Sequence, residues 1–131
     1  MSEAIDICDR AADALRKAGI EVLGQRIDRL TGKDGSVVRM MPPRTLARYF
    51  DGSRRMEATV QFIAKRLDPT EAMAECERAS DALQAADLES ANGSYRLVSQ
   101  AEPDGDMEEL AVGADRRHVW AVRLTAQIIR D

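Results

Sequence analysis

Few residues in this chain have side chains suited to chemistry. They are one histidine, His118, two cysteines, Cys8 and Cys76, and a run of carboxylates at Glu102, Asp104, Asp106, Glu108 and Glu109. A metal cage needs several ligands converging on one point, and a lone histidine cannot build a multi-histidine site. His118 opens a stretch that alternates apolar and polar residues, so it reads as a surface position at a strand end. Neither cysteine has a CxxC partner or the flanking context that marks a lowered pKa. Each falls on the apolar stripe of a predicted helix and reads as a small buried residue in a reducing compartment, not as part of a disulfide framework. The acidic run invites calcium, but an EF-hand loop needs Gly at its sixth position and Glu at its twelfth. Counted from Asp104 those positions hold Glu109 and Asp115, so a solvated acidic loop is expected. The glycines at 32, 35, 52, 105 and 113 form neither a dinucleotide-binding nor a P-loop pattern, and no hydrolase, kinase or zincin motif is present. The sequence calls for no enzyme activity, no cofactor and no metal.

Charge is distributed more tellingly than its total of -4. Residues 39–66 carry seven basic and two acidic side chains, whereas residues 67–110 carry two basic and twelve acidic ones. The local balances are therefore +5 and -10. One reading is that each element has its own solvated face. The other is a subunit with opposite-signed surfaces suited to head-to-tail association, with Arg44, Arg48, Arg54 and Arg55 on one side and Asp104, Asp106, Glu108 and Glu109 on the other. Tyr49 and Phe50 lie among the arginines, and stacking platforms for single-stranded nucleic acid combine such residues. A small cytoplasmic single-strand-binding module using the basic 39–66 region is thus an alternative, although Phe50 is as easily a core residue. The net negative charge argues against a dedicated duplex-DNA binder or sequence-specific nucleic-acid recognition.

These side chains must be positioned by elements that the periodicity outlines. Residues 2–18 read as an amphipathic helix capped by Ser2, with Glu3, Asp6 and Asp9 in its early turns. Ile5, Cys8, Ala12 and Leu15 form its apolar stripe, widened by Ala4 and Ala11. Gly19 followed by Ile20 suits a Schellman stop. Residues 21–35 are ambiguous, with a strand or short turn at Glu21–Leu23 and a loop over Thr31–Gly35. Val37–Met41 and Thr45–Phe50 are short strands separated by Pro42-Pro43, and Asp51-Gly52 marks a hairpin turn. In the next strand Met56, Ala58, Val60, Phe62 and Ala64 share one face, opposite Glu57, Thr59, Gln61 and Lys65. Asp68-Pro69-Thr70-Glu71 opens a second helix, 68–88, with Met73, Cys76, Ala79, Ser80 and Leu83 inward. A strand near 94–100, an acidic loop over 101–115 and a strand His118–Ile129 follow, the last with Trp120, Val122, Leu124, Ala126 and Ile128 on one face. This order predicts an α+β two-layer sandwich, an antiparallel or mixed sheet of four to five strands covered by two helices.

The chain's 131 residues fit one domain, 1–131, that can bury a core of its own. It is 44% apolar but only 4% aromatic, which leaves Phe62 and Trp120 as the expected core anchors. No stretch approaches 18 apolar residues, so no membrane span is expected, and the first ten residues lack the basic and apolar regions of a secretory signal.

The most distinctive wording is Pro43-Arg-Thr-Leu-Ala-Arg-Tyr-Phe-Asp-Gly-Ser-Arg-Arg-Met-Glu-Ala-Thr-Val-Gln-Phe62. A basic strand ending in Tyr-x-Asp-Gly-Ser, then a basic pair and a long alternating strand, resembles the tail-terminator proteins of long-tailed bacteriophages, often labelled tail-completion or minor capsid proteins. The element order that follows, helix 68–88, Tyr95–Val98 and the closing strand, extends the resemblance across most of the chain. It implies a virion protein of the tail or neck, assembled in the host cytoplasm. The subunit would form a homo-oligomeric ring, a hexamer, that caps the head-proximal end of the tail tube and meets the head–tail connector. A neck connector involved in head–tail joining is the neighbouring class. The family has no catalytic residues, and the implied partners are the chain itself, the tail tube protein and the connector.

Overall fold

A computed structural model describes residues 4–112 and 115–131. Two strands dominate it, β3 (Arg54–Arg66) and β7 (His118–Arg130), each of 13 residues. They pair antiparallel without a break from Arg54↔Arg130 to Arg66↔His118. Every other strand is short and lies along the outside of this pair. On the β3 side run β1 (Gly35–Met40) and β2 (Arg44–Arg48), one after the other. On the β7 side run β4 (Arg96–Leu97), β5 (Glu102–Pro103) and β6 (Glu108–Val112). The sheet has seven strands in all, yet by position they make four antiparallel rows. The expected four to five strands describe the rows; the outer rows are broken into pieces. Pro42-Pro43 interrupts the first, because proline cannot donate to the ladder.

Two helices, α1 (Ile7–Lys17) and α2 (Pro69–Ala85), cover one face of the sheet, giving an α+β sandwich. The core-facing side of β3 is as expected: Met56, Ala58, Val60, Phe62 and Ala64 are all buried. They meet Val122, Leu124, Ala126 and Ile128 of β7 and the inward residues of both helices. Phe62 is fully buried at the centre, whereas Trp120 is only half-buried at the margin, its indole Nε1–H enclosed without an acceptor. Trp120 is therefore a rim residue of the core, not an anchor equal to Phe62. The opposite face is not uniformly polar. Ile63, Val37 and Ala121 form a second, smaller cluster under Leu30, which a 3₁₀ turn (Ile27–Leu30) lays over them.

Helix boundaries moved for identifiable reasons. Ser2 and Glu3 lie outside the described residues. The helix begins at Ile7, with Asp6 at its N-cap, but the Asp6 side chain does not cap the helix. It turns instead to the 90–94 loop, accepting from Ser90 Oγ (2.7 Å), the Ala91 and Asn92 amides (2.9 and 3.2 Å) and Ser94 Oγ (3.2 Å). This carboxylate staples the start of α1 to the chain that leaves α2. At the other end, Ile20 N–H donates to Leu15 O and Gly19 N–H to Arg16 O, with Gly19 at φ +83°, which is the expected Schellman stop. Ala4 is exposed and Ile5 half-buried, while Ile7 takes a core position. In α2 the Asp68 carboxylate caps the Thr70 amide at 2.9 Å and Pro69 occupies the first helical position. Ala72 takes the core place expected of Met73, which is exposed. The helix ends at Ala85 rather than 88, and Leu88 is buried beyond it with its carbonyl accepting from Tyr95 Oη.

The expected strand 94–100 survives only as Arg96–Leu97, and the expected loop 101–115 contains two strands, β5 and β6. Gly113, part of that loop, lies outside the described residues. The strand Thr45–Phe50 is instead Arg44–Arg48, because Tyr49 to Ser53 form the hairpin turn.

Two outcomes follow. Replacing Phe62 with Ala should cost about 3–5 kcal/mol in chemical denaturation, whereas Phe50→Ala, at a fully exposed position, should stay within about 0.5 kcal/mol. Burial alone would raise the Asp6 pKa, but its hydrogen bonds from Ser90, Ala91, Asn92 and Ser94 outweigh burial and hold the carboxyl below its ordinary range. The native state thus favours the ionised form, so the stabilisation is complete above the unfolded value of about 3.9 and is lost as the pH falls through the lower folded value. Asp6→Asn should therefore lower the melting temperature at pH 7, with the gap to the parent chain closing below about pH 4.

Candidate functional site

Among the described residues, the cysteines and the histidine singled out for chemistry are not brought together. Cys8 and Cys76 are both buried, and burial pushes each thiol up to about 12, so neither is available as a thiolate. His118 Nδ1 lies 3.0 Å from Glu109 Oε2 at the start of β7, a surface pair between neighbouring strands. Among the described residues no three His, Cys, Asp or Glu side chains converge to hold a metal ion, and no helix is long and apolar enough to cross a membrane.

What the fold does assemble is a pair of charged surfaces. The first is the β2–β3 hairpin. Its turn is built by Asp51, whose Oδ1 accepts from Ser53 N at 2.9 Å and Ser53 Oγ at 2.6 Å, while Gly52 supplies φ +90°. The Asp51 carboxyl is held below its ordinary range, first by the Ser53 hydroxyl and then by the Ser53 amide. The Asp-Gly-Ser wording is thus accounted for by local turn chemistry. The apolar side chains at and before this turn face solvent. Leu46, Tyr49 and Phe50 are exposed, Phe50 completely, at 113% of its reference area.

The arginines of this hairpin have different roles. Arg44 is exposed and lies 3.2 Å from Glu57 Oε1. Arg55 donates from Nε to Gln127 Oε1 at 2.8 Å across the open face of the sheet, so it serves the sheet as well as the surface. Arg48 is directly opposite Arg54, which is directly opposite Arg130. Like charges facing each other, as in the Arg48–Arg54 pair, are unfavourable where facing opposite charges would stabilise. The hairpin therefore carries basic residues beside an exposed apolar tip.

The edges of the sheet differ in the same sense. The outer side of β1 is closed by irregular backbone bonds, Leu23 N to Ser36 O at 2.8 Å and Val38 N to Gly24 O at 3.1 Å. Residues 21–24, ambiguous in sequence, are this edge cover. Among the described residues β2 pairs only with β3, and β6 only with β7, so these outer edges are open.

The second charged surface lies on the β7 side. Asp104 N–H donates to Arg123 O at 2.9 Å, fixing the 103–107 segment against β7. Glu108 and Glu109 follow in β6, opposite Ala121 and Trp120. Asp106 joins Glu77 and Asp81 of α2 around a groove of about 300 Å³. Cys76, Met107 and Val122 also line it, so a partly apolar cleft carries an acidic rim. Sequence reasoning placed Asp106 here but missed Glu77, Asp81 and Met107. The signal was present: Glu77 and Asp81 are four residues apart, one helical turn, within the acidic segment. For Phe50 the sequence left surface and core both open, and the structure places it on the surface. The structure does not bring the basic and acidic groups together within one copy; they sit on opposite sides of the central ladder.

Two comparisons with known proteins are empty: no protein-family model and no curated protein matches the chain. Among solved structures, the chain is similar to one described as the virion of a native gene transfer agent particle. The similarity has a TM-score of 0.56 at 17% identity and covers 91% of this chain and 84% of that one. At that identity it shows a shared fold.

The arginine row yields a measurable outcome. Arg54→Thr removes the central charge while keeping a good strand former, so it should stabilise the isolated chain by about 0.2–1 kcal/mol in denaturant titration.

Proposed function

We propose that this chain is a structural protein of a phage-like virion, and within that class a tail terminator. It would form a ring, a hexamer, that caps the head-proximal end of the tail tube and meets the head–tail connector. The observation that carries this reading is the shared fold with a chain of a gene transfer agent virion over 91% of the residues. The sequence segment 43–62, with its resemblance to tail terminators, points the same way independently of that comparison.

The physical arrangement supports it. A closed ring of identical subunits uses a heterologous contact, in which one patch of each copy fits a different patch of the next. The basic hairpin and the acidic groove lie on opposite sides of the central ladder, as such a contact requires. Docking of this kind needs no active site. The neck connector is the nearest relative of this reading, and partner choice separates the two: a terminator binds the tube protein, a connector binds the head side.

A second reading, a single-strand-binding module, draws on one observation, the exposure of Tyr49 and Phe50 beside arginines. It requires salt-sensitive binding to single-stranded DNA.

Native mass spectrometry of the chain with its tube protein checks the first reading. The expected result is a defined oligomer, formed alone or on the tube end. Absence of association at every salt concentration, together with salt-dependent binding of an unstructured oligonucleotide, would favour the second.

A further inference from the structure

We propose that the β2–β3 hairpin tip of one copy seats in the acidic groove of the next copy, and that this is the contact that closes the ring. The inference rests on the ring reading above and adds which surfaces meet. Phe50 stands fully exposed at the end of a hairpin whose turn is fixed by Asp51, Gly52 and Ser53. A large aromatic held out on an ordered turn loses little conformational freedom on docking, and aromatic anchors flanked by arginine dominate protein interfaces. The groove between α2 and the 103–107 segment has the complementary character. Its volume of about 300 Å³ is ample for an aromatic ring, and Met107 and Val122 give it apolar lining.

Charge selects the pairing and its direction. Arg48 and Arg54 flank the tip, with Arg130 in the same row. Glu77, Asp81 and Asp106 rim the groove. Bringing the tip to the groove of another copy would offset the repulsion within the arginine row and desolvate both charge sets against each other. Tip-to-tip and groove-to-groove contacts would bring like charges together, so a symmetric dimer is disfavoured and head-to-tail growth is selected. Within one copy the hairpin hangs from the β3 edge of the ladder and the groove lies at its β7 edge, so the tip is offered to another molecule.

The test uses two full-length variants. The tip variant carries Arg48→Glu, Phe50→Ala and Arg54→Glu; the groove variant carries Glu77→Lys, Asp81→Lys and Asp106→Lys. All six positions are exposed or half-buried, and circular dichroism with thermal melting checks that each variant folds. Association is read by native mass spectrometry with and without the tube protein. The wild-type chain should form rings, and each variant alone should lose at least tenfold in apparent association. Mixed on the tube end, they retain one wild-type tip and one wild-type groove, so they should stop at a heterodimer. If both variants form rings like the wild type, the tip–groove contact is wrong and the ring reading stands. If the wild type itself never assembles, with or without the tube protein, both fall.

Discussion

Thirteen consecutive residue pairs between β3 and β7 form the ladder on which every other feature of this protein depends. Its inner side supplies most of the strand contribution to the core, through alternate residues from Met56 to Ala64 and from Val122 to Ile128. Among the described residues, its outer backbone edges are the template on which β1, β2, β4, β5 and β6 pair. Strands of two residues, such as β4 and β5, have no stability of their own and exist because β7 offers a complete edge. The ladder also sets the distance between the two charged surfaces, because the basic hairpin hangs from β3 and the acidic segment from β7.

This dependence explains which features could be read from the sequence. β3 was legible because the alternation from Met56 to Phe62 is a strong period-2 signal, and α2 because Asp68 and Pro69 mark its start chemically. The outer rows were not legible, since nothing in Glu102-Pro103 or Glu108–Val112 specifies a strand locally. Five carboxylates, a proline and a glycine read as a solvated loop, and tertiary pairing with β7 overrides that preference. The start of α1 was misplaced for a related reason. Asp6 looked like one of several acids favouring a helix dipole, but its partners are more than eighty residues away, in the 90–94 loop. Local rules cannot see such a bond.

The candidate interface was legible in part. The segregation of charge into +5 and -10 segments is a property of the sequence alone; in space the two segments also meet, since Arg66 lies 3.8 Å from Glu75, while the hairpin arginines and the groove acids hang from different strands of the ladder. The individual roles were not visible. Arg55 is engaged with Gln127, Arg44 with Glu57, and Arg48 and Arg54 stand in a repulsive row. Glu77 and Asp81 join the acidic side only because α2 packs beside the 103–107 segment. Placing Arg48 opposite Arg54 costs the monomer some stability, and the fully exposed Phe50 contributes nothing to it. That pattern is the physical basis of the proposed contact between copies.

Electron cryomicroscopy of the chain mixed with its tube protein tests this account most directly. The account predicts a closed ring at one end of each tube, with adjacent subunits joined through the β2–β3 hairpin. Free monomers beside bare tubes, or protein spread along the tube walls, would contradict it.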